Sequence, residues 1–254
     1  MRPRRPEPAV LRAYGVYKGI ANHTVDLYYL GLIESDPVAS GLGGVMKGFD
    51  VNTLGTRIQG SRNDWLYEGE FAFQFGEQAD LSRSAGMATA GVGRSFAKMW
   101  AKPVLWFYYD YASGDSDPTN GSFGTFNQLF PLGHKYLGYA DIVGRQNIND
   151  ANVVLTFAPS KRVNFLVWYH HFTLVSSRDA LYNAAGAATR RDPTGRAGND
   201  VGDEVDVLMN VILNPHADLQ FSYSHFFPGD FIERTGTGGG EGTDFFYSQL
   251  VFRF

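Results

Sequence analysis

The chain has 254 residues, no cysteine and a net charge of −4 at pH 7, and 44% of its residues are hydrophobic, 15% aromatic and 19% charged. The slight negative charge argues against a nucleic acid as partner, because proteins that bind nucleic acids present basic surfaces. No apolar run approaches the roughly 18–20 residues of a transmembrane helix. Neither a metal-type Cys/His spacing nor a cofactor motif is present, so we expect no metal site and no cofactor.

The first residues, MRPRRPEP, are basic like the start of a signal peptide, but no apolar core follows them. The chain continues directly into LRAYGVYKGI, which alternates like a strand. We therefore interpret Met1 as a position within a longer protein whose signal peptide and first strands lie upstream. The alternative is a cytosolic protein with a basic tail.

Eleven segments alternate between apolar and polar residues, which predicts eleven β-strands. They comprise residues 9–18, 23–34, 51–61, 64–77, 86–96, 103–113, 149–158, 161–174, 203–213, 217–227 and 244–254. The clearest contains DWLYEGEFAFQF, in which Phe71 and Phe73 lie on one face and Glu68 and Glu70 on the other. Unpaired buried glutamates would cost several kcal/mol each, so one face needs water and the other needs apolar surroundings.

The connections between these segments alternate in length. Short turns at 19–23, 61–64, 158–162 and 214–218, with a slightly longer one at 97–103, alternate with long loops at 35–50, 78–85, 114–148, 175–202 and 228–243. This alternation is typical of bacterial outer-membrane barrels, which have short periplasmic turns and long outer loops. Aromatic residues near segment ends indicate interfacial girdles: Trp65, Tyr67, Trp100, Trp106, Trp168 and Tyr169.

The predicted fold class is therefore all-β: an antiparallel up-and-down transmembrane β-barrel in the bacterial outer membrane. A soluble β-sandwich or barrel, such as a lectin-like domain, also gives short alternating strands. That alternative does not explain why the long loops fall at every second connection.

The last ten residues, FFYSQLVFRF, form a strand with one almost wholly apolar face. Phe254, Phe252 and Leu250 lie on that face. A terminal Phe preceded by apolar residues at alternate positions resembles the C-terminal signature of outer-membrane proteins. That resemblance implies an assembly signal read by the outer-membrane assembly machinery.

Three stretches resemble the alginate export family of outer-membrane porins. They are YDYASGDSDPTNGSFGTFNQLFPLGHKYLGYADIVGRQNI (109–148), VVLTFAPSKRVNFLVWYHHF (153–172) and FSYSHFFPGDFI (221–232). The resemblance runs in order over roughly residues 14–254. It implies an eighteen-stranded barrel that passes an anionic polysaccharide outward through a pore lined with basic side chains. With about eleven strands, residues 1–254 would form a single domain that is the C-terminal part of such a barrel.

The side chains that alternate toward the lumen are the candidate pore lining: Arg57, Gln59, Glu68, Glu70, Asp110, His170, Glu204 and Asp206. Arg57 is the best candidate for a polyanion contact, because a guanidinium binds a carboxylate with two hydrogen bonds. The excess of acids departs from the basic lining that the resemblance implies. The acids either pair with arginines on upstream strands or indicate a solute other than alginate, and each lumen charge is alternatively solvated lining or a cross-strand ion pair.

No catalytic site is expected. Ser224 and His225 are adjacent in a strand and point to opposite faces, so they cannot act as nucleophile and base. His170 and His171 are split in the same way and form no metal site. Asp115 and Asp117 lack the full spacing of a calcium loop, and turn chemistry explains them equally well.

The sequence thus predicts a porin-like channel for export or diffusion of an anionic polysaccharide or oligosaccharide, with membrane lipid as a further partner. The alternative is a non-transporting barrel that acts as a structural or surface-binding protein. With the last strand running inward, strand 9–18 must start outside, which a complete barrel with both termini in the periplasm does not allow. We therefore expect an antiparallel sheet of about eleven strands that is open between strands 9–18 and 244–254.

Overall fold

The computed structural model describes residues 9–39, 46–78, 80–117, 119–236 and 240–253. Fourteen strands and one short helix lie within these ranges. The strands are β1 (Ala9–Tyr17), β2 (His23–Ala39), β3 (Met46–Arg62), β4 (Trp65–Gln78), β5 (Leu81–Ser95), β6 (Val104–Ala112), β7 (Ser122–Phe123), β8 (Ile148–Phe157), β9 (Val163–Leu174), β10 (Ala180–Tyr182), β11 (Ala188–Arg191), β12 (Asp200–Asn214), β13 (Ala217–Pro228) and β14 (Thr243–Phe252). The helix is α1 (Asp230–Thr235). No helix of the described ranges is both long enough and apolar enough to cross a membrane.

Eleven of the strands form one antiparallel sheet in the order β1-β2-β3-β4-β5-β6-β8-β9-β12-β13-β14. This order confirms the predicted all-β, antiparallel succession of eleven strands. β7 adds a two-residue parallel pairing to β5, and β10 and β11 form a separate hairpin. Among the described residues β1 pairs only with β2, and β14 pairs only with β13. The sheet is therefore open between these two edges, as expected, and it does not close into a barrel.

Two of the predicted long loops are largely strand. The predicted loop 78–85 is a short turn, because β4 ends at Gln78 and β5 begins at Leu81. β2 and β3 extend likewise far into the predicted loop 35–50. The prediction of loop structure is therefore wrong where these strands continue, whereas residues 40–45 of the loop 35–50 lie outside the described residues. Backbone pairing extends into stretches whose side chains show no regular alternation.

The two faces of the sheet differ in chemistry. On β4 the side chains of Phe71 and Phe73 are exposed, whereas Ala72 and Gln74 are buried. We call the face with exposed apolar side chains the outer face and the opposite one the inner face. Large exposed apolar residues recur on the outer face of nearly every strand, among them Leu27, Leu54, Val92, Phe107, Val207 and Phe246. The predicted alternation is thereby confirmed, and so extensive an apolar surface marks a region of contact.

A row of tyrosines crosses the outer face toward its loop end. Each donates a hydrogen bond of 2.5–3.0 Å to Asn or Asp on the next strand: Tyr29 to Asn52, Tyr109 to Asn149, Tyr169 to Asp203 and Tyr223 to Asp244. We call these four residues the tyrosine row. Trp106 and Trp168, which we predicted in an interfacial girdle, point instead to the inner face. A position near the end of a segment does not determine on which face of the strand a side chain lies.

The described residues of 113–147, the connection from β6 to β8, fold against the inner face and are called the inner segment below. The side chain of Gln74 donates to the carbonyl of Asn127 and accepts from its amide, at 2.7 and 2.8 Å. On the opposite side, Glu204 of β12 accepts a hydrogen bond from the amide of Ala140 at 2.9 Å. The segment leaves and rejoins the sheet at the end of the predicted long loops, but it folds inward over the sheet instead of forming a projecting loop. Polar inner-face side chains satisfy the backbone of this irregular segment, which has few partners of its own.

An apolar cluster fills the loop end of the inner face. It includes Phe126 of the inner segment, Leu181 of β10, Phe226 of β13, and Phe231 and Ile232 of α1. The cluster contains residues of the inner segment, of the connection from β9 to β12, and of α1. These three connections therefore pack on each other and on the strand ends. The loop end is thus a folded cap over the sheet.

Candidate functional site

A cavity of about 680 Å³ lies between the inner face and the inner segment. The sheet contributes charged, polar and aromatic side chains to its wall: Arg57, Glu68, Glu70, Trp106, Tyr108 and Asp110. The inner segment contributes a second set: Phe130, His134, Lys135, Tyr136, Asp141 and Arg145. The cavity is therefore both charged and aromatic, with cations on both sides.

Arg57 forms a cross-strand ion pair on the sheet side of the cavity. Its Nη2 lies 2.8 Å from Oε2 of Glu68 on β4, and its side chain is 38% exposed. Glu70, the next carboxylate on the same face, accepts a hydrogen bond of 2.6 Å from the hydroxyl of Tyr28. Arg57 thus keeps guanidinium surface facing the cavity while its charge is partly neutralised by Glu68.

Arg145 reaches back from the inner segment to the sheet. Its Nη1 donates to Oδ1 of Asp110 at 2.6 Å and to the hydroxyl of Thr89 at 2.8 Å. Asn152 donates to the other carboxylate oxygen of Asp110 at 3.2 Å. The guanidinium also lies over the ring of Tyr136, 5.9 Å from its centre. Arg145 therefore fastens the inner segment and lines the cavity at once.

A histidine–aspartate pair and a lysine lie on the inner segment itself. Nδ1 of His134 is 3.1 Å from Oδ2 of Asp141. The ammonium of Lys135 lies 5.3 Å from the ring centre of Tyr136. Lys135 therefore adds a third positively charged side chain to the cavity wall, beside Arg57 and Arg145.

Glu204 and Asp206 hold the inner segment instead of lining the cavity. Glu204 binds the amide of Ala140, and Asp206 accepts a weaker hydrogen bond of 3.3 Å from the amide of Tyr139. Gly138 has a φ of +84°, and a Cβ there would collide with the Glu204 carboxylate. Burial raises the pKa of Tyr139 to about 12.

His170 lies on the inner face beneath the contacts that Glu204 and Asp206 make with the inner segment, and it is fully buried. Its Nδ1 is 2.8 Å from Oδ2 of Asp150, and its Nε2 is 3.7 Å from Oδ2 of Asp206. Its ring stacks on Phe172 with the ring centres 5.0 Å apart. His171 points to the outer face, 3.0 Å from Asp203. The two histidines are split across the sheet, as parity predicts.

The structure places the eight predicted lining residues in three groups. Arg57, Glu68, Glu70 and Asp110 line the main cavity. Gln59 lines a neighbouring hollow of about 280 Å³, together with Glu68 and Trp106. His170, Glu204 and Asp206 are on the inner face but lie under the inner segment, with no exposed surface.

The remaining predicted positions lie on β13 and β14, in loops or outside the described residues. Phe252 and Leu250 are exposed on the outer face of β14, and Phe254 lies outside the described residues. Ser224 is buried on the inner face, whereas His225 points outward and pairs with Asp244 at 2.7 Å.

The acidic loop residues take part in local turns. Oδ1 of Asp115 accepts a hydrogen bond from the amide of Asp117, and Asp117 in turn accepts one from the amide of Thr119. This is turn chemistry of the expected kind.

Sequence reasoning missed Arg145 and Lys135 as cavity residues. Both lie in an irregular segment, where no alternation assigns a side chain to a face. The one available signal was their position in the stretch GHKYLGYADIVGR, which belongs to the most extended part of the family resemblance.

Comparison with known proteins agrees with that resemblance. No curated protein matched the sequence. The model of a family described as alginate export matches residues 8–242, nearly the whole chain. The sheet from β1 to β13 and the charged cavity on its inner face lie within the matched residues, whereas β14 lies beyond them. The chain therefore belongs to the alginate export family.

Proposed function

We propose that the protein is an outer-membrane channel that exports an alginate-like anionic polysaccharide along the inner face of its sheet. The observation that supports this most directly is the cavity that Arg57, Lys135 and Arg145 line from two sides. Guanidinium groups bind carboxylates with paired, charge-assisted hydrogen bonds, so these side chains suit a chain of uronate residues.

The pairing of the arginines with acids suits passage better than tight binding. Arg57 is held by Glu68 and Arg145 by Asp110, both at hydrogen-bond distance. A passing carboxylate must compete with these partners, which keeps each contact weak. Conduction requires sites that are attractive enough to enter and weak enough to leave.

The outer face supports a membrane location. Its exposed side chains are largely apolar, and the tyrosine row carries hydroxyls toward the loop end, as expected where hydrocarbon meets headgroups. Membrane lipid and the outer-membrane assembly machinery are the corresponding partners in this proposal. We infer no catalytic role, because Ser224 and His225 face opposite sides of the sheet.

The test is ion selectivity of the protein, purified from outer membranes and inserted in planar bilayers. Arg57→Glu should shift the reversal potential in a salt gradient toward cations and weaken block by oligouronates, because it reverses the local potential. Arg162→Glu is the matched control, since it makes the same charge change on an exposed turn residue. Equal selectivity of the two variants would contradict a role of Arg57 in anion passage.

A second candidate is a non-transporting barrel that binds partners through its loop end. The observation that favours it is the filling of the inner face over β8, β9, β12 and β13 by buried side chains and the apolar cluster. A protein that inserts in bilayers but shows no stepwise conductance would support this candidate over a channel.

A further inference from the structure

Two aromatic side chains on the inner face lie across glycines of the neighbouring strand. Trp106 and Tyr108 of β6 are directly opposite Gly93 and Gly91 of β5. A Cβ on either glycine would fall within the ring opposite it, closer than side chains can approach. Each ring therefore leans over β5, in space that only glycine leaves open.

The two rings form one surface on the wall of the cavity. Their centres are 5.1 Å apart and their planes are 16° apart, an offset parallel arrangement. Both residues are half-buried and line the main cavity. Because both residues line the cavity and are only half-buried, part of each ring is available to a molecule in the cavity.

Polar groups that suit a sugar surround these rings. Arg57 and Glu68 line the same cavity, and Glu68 also borders the neighbouring hollow with Trp106. A pyranose presents a face of C–H groups to an aromatic ring and a rim of hydroxyls to polar side chains. The negative face of an aromatic ring attracts such weakly positive hydrogens.

We propose that Trp106 and Tyr108 form a stacking subsite for one pyranose ring of the exported chain. This inference rests on the proposed function and adds to it a contact that recognises the sugar ring instead of its charge. Space filling alone does not require glycine, since a strand interior is more stable with a side chain at such a position. Tyr28 lies across Gly55 in the same way but does not line the cavity, so it is the position of Trp106 and Tyr108 on the cavity wall that suits them to a ligand.

The test compares two probes that block the channel in planar bilayers: a mannuronate hexasaccharide and hexaglutamate, which has similar charge and no sugar ring. Trp106→Ala and Tyr108→Ala should each shorten the residence time of the hexasaccharide by roughly two- to tenfold, the range expected for one aromatic contact. The residence time of hexaglutamate should not change. Phe107→Ala is the matched control, because Phe107 lies between the two residues and points to the outer face, 53% exposed.

Two further variants keep the test independent of folding. Trp106→Phe retains a ring and should restore most of the hexasaccharide residence time. Gly93→Ala retains the indole but displaces it, and should shorten that residence time as Trp106→Ala does. An equal effect of Trp106→Ala on both probes, or none on either, overturns the stacking subsite while leaving the anion channel intact. A wild-type protein that neither probe blocks overturns the proposed function and the subsite together.

Discussion

Replacing Arg145 by Met should loosen the inner segment. The substitution keeps the apolar stem of the side chain but removes the guanidinium that binds Asp110 and Thr89. Asp110 would then be a carboxylate without its cation in a site where its side chain is only 6% exposed. The perturbation therefore tests whether this ion pair holds the segment against the sheet.

The size of the effect follows from the contacts that remain. Leaving one member of a buried ion pair without its partner costs about 3–5 kcal/mol. Asp110 would keep its hydrogen bonds to Thr89 and Asn152, and the cavity beside it admits water. We therefore expect a loss of about 2–3 kcal/mol in the free energy of opening the segment.

Hydrogen exchange measures that opening directly. The amides of Tyr139 and Ala140 are hydrogen-bonded to Asp206 and Glu204 and exchange when the segment leaves the inner face. A loss of about 2–3 kcal/mol should accelerate their exchange roughly 30- to 150-fold. Arg162→Met, a change on an exposed turn, should leave these rates unchanged.

A second substitution shows whether the orphaned carboxylate causes the effect. Asp110→Asn combined with Arg145→Met removes the unpaired charge. The segment amides of this double variant should exchange about tenfold more slowly than those of Arg145→Met alone. The reasoning is refuted if Arg145→Met exchanges as slowly as wild type, or if the double variant exchanges as fast as Arg145→Met alone.

Two further predictions concern the backbone of the inner segment and the outer face. Gly138→Ala should accelerate hydrogen exchange of the segment amides far more than Gly121→Ala does. Both glycines have positive φ, but only at Gly138 would a Cβ collide with Glu204. Equal effects of the two substitutions would assign the change to backbone strain alone. Phe73→Arg should reduce the amount of protein in the outer membrane, since an Arg on a lipid-facing strand costs about 2–4 kcal/mol near mid-bilayer. Ser160→Arg, the same new charge in an exposed turn, should not, and equal membrane levels of the two variants would show that Phe73 does not meet lipid.

The strands were predictable because each one repeats its pattern every two residues. Phe71, Phe73 and Gln74 suffice to assign both faces of β4, and the structure confirms that assignment. Strand ends were less predictable. Ser82 and Ser84 are small and polar, yet the part of β5 that contains them pairs fully with β4. The type of such residues does not reveal that their backbone is paired in a sheet.

The candidate site was predictable only on its sheet side. Arg57 and Glu68 lie on strands, where parity assigned them to the inner face. The inner segment was not predictable, because its contacts join residues far apart in sequence, such as Gln74 with Asn127 and Glu204 with Ala140. Parity also could not distinguish a side chain that lines a cavity from one that lies beneath another segment, as Glu204 does.

The tyrosine row also contains information about how the sheet stands in a bilayer. Its members are not level with one another in the register of the sheet. Four successive strand pairings lead from Tyr109 on β6 to Val25 on β2, which is four residues before Tyr29. From β6 to β2 the row therefore shifts toward the loop end by one residue per strand.

The same slope continues on the other side of β6. Two pairings lead from Tyr109 to His171 on β9, two residues beyond Tyr169. Two more lead from Tyr169 to His225 on β13, two residues beyond Tyr223. In the membrane location proposed above, hydroxyls that mark one depth would lie in a plane parallel to the membrane, and this slope would then be the tilt of the strands. A rise of about 3.3 Å per residue and a spacing of about 4.8 Å give a tilt of about 35°, within the range of roughly 35–45° found in outer-membrane barrels.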